Sequence, residues 1–145
     1  MNAIKHKVKV HASAEALYEA LSTEGGLAAW WTPMVKARPE VGSVATFRFG
    51  ADGAHGPDMS IEELSPAERV RWRCVAGPWE GMDFDFRIEA ETDTEAVLRF
   101  EHSGWPESGD FYMHCNSKWG FFLGSSLKRY LETGEGLPHP QDPDL

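Results

Sequence analysis

Leu98, Phe100 and His102 recur at every second position, which on a strand sends all three side chains to one face and sets the His102 imidazole among apolar neighbours. There it could share a hydrogen bond with a ligand oxygen or, with Tyr112, move a proton in cyclase or dehydratase chemistry. His6 holds the same kind of place beside Ile4, Val8 and Val10. The competing reading of either is a core histidine satisfied by a backbone group. No catalytic set is assigned, and His102 is the sole candidate for one.

Trp30, Trp31, Trp72, Trp105 and Trp119, with Met82, Phe84, Phe86, Phe100 and Phe122, fall at strand or helix spacings that turn them toward one interior. Concave ligand sites are mostly aromatic with a few polar groups, so these residues, with His102 and Cys115, are the expected lining of an apolar pocket. The same stripes also read as plain core. Gly120 and Gly124 in the last helix each cost about 1 kcal/mol relative to alanine, which suits a close approach by a tryptophan, a ligand or ordinary packing.

Other candidates point away from chemistry. His114 and Cys115 are adjacent, about 100° apart on a helix, and cannot hold one ion together. His55 and His139 have no paired ligand at short spacing and read as solvated, so neither a metal nor a cofactor is expected. The glycines from Gly50 to Gly56 suggest a phosphate cradle, but the lysine and following helix are missing, which leaves a hairpin loop able to serve as a lid. Asp83 and Asp85 alternate with Phe84 and Phe86 and belong to a wet outer face. No Gly-x-Ser-x-Gly, dinucleotide fingerprint or convincing cysteine–histidine pair occurs.

The elements that would position these residues follow from periodicity. Lys5, Lys7 and Lys9 alternate with apolar residues in a first strand, Ser13 caps a helix carrying Leu17, Tyr18 and Leu21, and Gly25-Gly26 are expected to break it. A second short helix covers Leu27 to Trp31. Strands are expected at 44–49, 58–64, 69–75, 82–91 and 95–102, joined by turns in a meander. Asp110 is expected to cap a long helix to about Glu132, stopped by Gly134. Residues 1–134 then form one domain, and 135–145, with three prolines and no periodicity, an exposed tail.

The chain has 145 residues, 41% hydrophobic and 26% charged, an ordinary single domain with a net charge of −9. That field repels phosphate backbones and anionic lipid, so neither nucleic acid nor membrane is an expected partner. With no apolar secretory stretch, Cys74 and Cys115 read as buried thiols in a reducing compartment, and the cytoplasm is the expected location.

The segment Glu24 to Trp31, the strand end His102-Ser103-Gly104-Trp105, and Trp119 to Leu123 followed by Leu127 to Gly134 resemble the START-like (SRPBCC) superfamily. More narrowly, they resemble its branch named after the C-terminal domain of the activator of the ninety-kilodalton heat-shock protein ATPase. The resemblance implies an α+β helix-grip fold, a curved antiparallel sheet of six to seven strands on a long C-terminal helix, with two short helices after the first strand. It also implies a hydrophobic pocket between sheet and helix. The leading expectation is therefore binding of a small hydrophobic molecule, by a monomer or homodimer. The alternatives are a cyclase- or dehydratase-like enzyme, and a co-chaperone or stress-associated module meeting a chaperone through an acidic face and the Trp30-Trp31 corner.

Overall fold

The computed structural model describes residues 2–145. Strand β1 (Asn2–Val10) turns Ile4, Val8 and Val10 inward, and the antiparallel strands β3 (Val44–Phe47), β4 (Asp58–Ser65), β5 (Arg69–Ala76), β6 (Asp83–Thr92) and β7 (Glu95–Trp105) form the expected meander. A two-residue β2 (Val35–Lys36), too short to leave a periodic signal, adds an edge to β3. The sheet order is β1-β7-β6-β5-β4-β3-β2, so the chain's first strand pairs with its last.

Between β1 and β2 lie α1 (Ala14–Ser22) and α2 (Glu24–Trp30). The Ser13 hydroxyl accepts from the Ala16 amide at 3.1 Å, the expected cap. The helix break falls at Thr23, which caps α2 by accepting from Gly26 N–H at 3.1 Å. Gly25 and Gly26 are thus the first turn of α2, not the interruption expected of them. A methyl group at Gly26 would come within 2.6 Å of the Ala20 Cα, whereas one at Gly25 would meet nothing within 4 Å.

The C-terminal rod is α3 (Asp110–Phe121), a π-helical turn at Phe122–Leu127, and α4 (Lys128–Thr133), ended by left-handed Gly134. Gly109, with no side-chain bond, occupies the cap position expected of Asp110. The wider π turn presents Phe122, Leu123, Ser126 and Leu127 to the interior together. The close approach at Gly120 is made by His6, whose Cε1 would lie 3.4 Å from an added Cβ, while Gly124 faces open space.

Residues 135–145 carry no regular structure, and 135, 140–141 and 143–145 are exposed, but 136–139 and 142 are half-buried and tied down, unlike the free tail expected from their prolines. Leu137 N–H donates to Ser126 Oγ at 2.8 Å, His139 N–H to the Trp31 carbonyl at 2.8 Å, and Lys118 Nζ to Asp142 Oδ2 at 2.6 Å. Ser126 Oγ in turn donates to the Trp30 carbonyl at 2.6 Å. These polar ties strap the segment across α2 and the rod.

Gly26→Ala is expected to cost about 2 kcal/mol through overpacking against α1, whereas Gly25→Ala should stabilise by about 0.5 kcal/mol by restricting the unfolded chain. Urea unfolding of the two variants checks the contrast.

Candidate functional site

Aromatic rings fill the concavity between sheet and rod. Trp72 lies 4.7 Å from Phe86, Phe86 lies 4.9 Å from Phe100, and Phe100 lies 4.6 Å from Trp119 between ring centroids. Trp31 closes the series 5.1 Å from Trp119 and 6.0 Å from Trp72. These separations suit offset and tilted aromatic packing. The central hollow expected for a ligand is therefore occupied by side chains. Trp30, Trp72, Phe84, Phe86 and Phe100 are core residues. Trp30 and Trp31 are 0% and 2% exposed, so they form no surface corner for a partner.

His102 does point inward, but its ring is committed. Trp119 Nε1 donates to His102 Nδ1 at 3.1 Å, and His102 Nε2 lies 3.2 Å from Met82 Sδ. With Nδ1 accepting, the proton sits on Nε2. Burial lowers the ring's pKa from 6.5 to about 3. Tyr112 Oη donates to the Ala3 carbonyl at 3.0 Å. Neither member of the expected proton-transfer pair has a reacting atom to spare. His6 lies at the seam of sheet and rod, its Nε2 2.9 Å from Asn116 Oδ1.

The open space lies at the end of the seam. A cleft of about 290 Å³ opens between the hairpin loop after Phe49, the β5–β6 turn, α3 and the C-terminal strap. Four expected residues line it: Trp31, Cys115, Trp119 and Phe122. Met82 and Trp105 instead border a neighbouring depression of about 240 Å³. The sequence reading missed Trp79, whose ring stacks 6.4 Å from Trp31 and 5.9 Å from Trp119. A tryptophan between turn residues, Gly77-Pro78-Trp79, was the available signal.

The strap supplies one polar wall, which no local pattern announced. His139 Nε2 accepts from Gly50 N–H at 3.1 Å, leaving Nδ1–H to donate to Asp142 Oδ1 at 2.8 Å. Burial alone would raise the Asp142 carboxyl, but hydrogen bonds from Lys118 and His139 outweigh it and hold the group below its ordinary value. His139, expected to be solvated, thus pins the glycine-rich loop to the strap. Its lone pair is used, so this histidine–aspartate pair is a clasp and not a free base. Burial pushes the Cys115 thiol up to about 11, only weakly opposed by Trp79, so it stays protonated and a poor nucleophile. The arrangement suits enclosure of an apolar group.

Residues 11–132 match the family model described as activator of Hsp90 ATPase homolog 1-like protein, and the chain belongs to that family. The solution structure of the Aha1 dimer from Colwellia psychrerythraea is similar at 40% identity and a TM-score of 0.83, covering 94% of this chain and all (100%) of that one. A crystal structure of a Staphylococcus saprophyticus protein aligns at 20% identity with a TM-score of 0.76, over 93% of this chain and 95% of the other. A solution structure of a Bacillus halodurans protein aligns at 18% identity with a TM-score of 0.73, over 91% and 98%. The last two show the fold alone. No curated protein matches the chain.

The depressed value of His102 makes stability depend on pH. The unfolded histidine takes up a proton near pH 6.5 and the folded one only near 3. The stabilisation held by the neutral ring is therefore complete above pH 6.5 and is lost as pH falls toward about 3, at up to about 1.4 kcal/mol per pH unit. His102→Gln should flatten this part of the curve, as measured by urea unfolding between pH 7 and 5. Equal slopes would contradict the buried neutral ring.

Proposed function

We propose that the protein binds a small apolar molecule in the open cleft at the end of the sheet–helix seam. The observation that carries the reading is a cavity of about 290 Å³ whose floor is Trp31, Trp79 and Trp119, close to the lower size of ordinary ligand sites. The reading moves the ligand from the packed centre to the rim. Its size suits one or two rings or a short acyl chain. Cys74 and Cys115 are buried and unpaired, which supports a reducing compartment, the cytoplasm, as the place of action.

Titration with one- and two-ring hydrocarbons, followed by tryptophan emission, is expected to saturate. Trp79→Ala should weaken binding at least tenfold, whereas Phe86→Leu, in the packed centre, should leave it within about twofold. No spectral change with any probe up to its solubility limit would refute the reading.

A second reading rests on kinship. The family is named for activators of the Hsp90 ATPase, and the 40% identical relative is described as a dimer. These support a homodimer and contact with a chaperone of that class. Sedimentation is expected to give twice the chain mass, and added protein is expected to raise the chaperone's ATPase rate. A monomer without effect on that rate would remove this reading.

A further inference from the structure

Four positive side chains stand in line across the outer face of the sheet. The register sets Lys7 opposite Arg99, Arg99 opposite Arg87, and Arg87 opposite Arg69, one cation from each of β1, β7, β6 and β5. Adjacent strands lie about 4.8 Å apart, so the row is about 15 Å long. Like charges directly opposite one another work against the fold. The carboxylates nearby leave the row undercompensated. Asp85 receives Arg69 Nε at 2.9 Å and Nη2 at 2.7 Å, but stands 3.9 Å from Arg87 Nε. Glu89 lies 3.3 Å from Arg99, and among the described residues no ion pair includes Lys7. The Arg87 and Arg99 side chains are 57% and 45% exposed. On a chain of net charge −9 this is a local reversal of sign.

The row is one residue wide. Glu101 and Asp85 alternate with Lys5 and Arg71 in the next register line on one side, and Glu89 and Lys9 share the line on the other. Shallow depressions of about 580 and 300 Å³ flank the Arg87–Arg99 pair, the larger lined by Arg69, Arg87 and Arg99 together with Glu63, Glu68 and Glu89. We propose that this row docks an acidic, extended segment of a partner protein. An extended chain rises about 3.3 Å per residue, so four or five residues span the cations, competing with Asp85 for Arg69 and with Glu89 for Arg99. A bilayer or a nucleic-acid duplex is broader and would press phosphates onto Glu89 and Glu101.

The test titrates fluorescein-labelled octaglutamate with the full chain at low ionic strength and follows anisotropy. Octaglutamine, phosphatidylserine vesicles and an oligothymidylate form the other arms. Octaglutamate is expected to bind best and to weaken with added salt. Arg87→Glu and Lys7→Glu should each weaken it tenfold or more, and Lys36→Glu, an exposed lysine outside the row, less than twofold. Arg87→Gln should also weaken the peptide while leaving Tm unchanged or raised, since it relieves a like-charge contact. Equal binding of octaglutamine, indifference to both reversals, or tighter capture by vesicles or oligonucleotide overturns the proposal. A lowered Tm of Arg87→Gln with unchanged peptide binding overturns it as well, by showing the row to be structural.

Discussion

The structure depends on how a single helical rod fills the hollow of a seven-stranded curved sheet. A rod about 10 Å across leaves space on both flanks, and interiors tolerate little of it. Here the space is taken by rings: Trp31 from α2, Trp72 and Phe86 from the sheet, and Trp119 from the rod meet at centroid separations of 4.7 to 6.0 Å. The two short helices are therefore part of the core and not a lid over it. Gly26 follows from the same demand, because α2 must lie against α1 closely enough for Trp30 and Trp31 to reach the centre.

Such a core contains polar groups, and most are matched, the indole N–H groups of Trp79 and Trp105 being left without a partner. The Trp119 indole N–H uses the lone pair of a His102 ring that burial keeps neutral, which explains a buried histidine without invoking catalysis. The Trp30 indole donates to the Ala20 carbonyl at 2.8 Å, and Ser126 ties α2, the π turn and the strap together. Buried polar groups satisfied in this way fix one arrangement of the surrounding rings, since any shift would leave a donor without a partner. The open volume is consequently displaced to the end of the seam, where the strap and the glycine-rich loop meet through His139.

Membership in the activator of Hsp90 ATPase homolog 1-like family fixes the architecture and leaves the site to particular side chains. Two surfaces of opposite character result. One is an apolar cleft walled by tryptophans; the other is a line of cations on the outer face of the sheet. They lie on opposite sides of the strand layer, because strand side chains alternate between faces.

Periodicity alone was sufficient for β1, the meander, the long helix and the inward direction of His102, because local alternation and helical spacing report which face of an element is apolar. The Ser13 cap and the Gly134 stop were legible for the same local reason. Of the twelve residues expected around a ligand, only Trp31, Cys115, Trp119 and Phe122 border the main cleft, since spacing tells that a ring points inward but not whether another ring already occupies the space before it. The π turn, the Thr23 break and the two-residue β2 depend on packing between distant segments. So do the clasp from Lys118 through Asp142 and His139 to Gly50, and the cation row, whose members come from four strands. The sequence determined which faces are buried; only the tertiary structure decided which buried volume is filled and which distant charges become neighbours, because both depend on register and on packing between elements far apart in the chain.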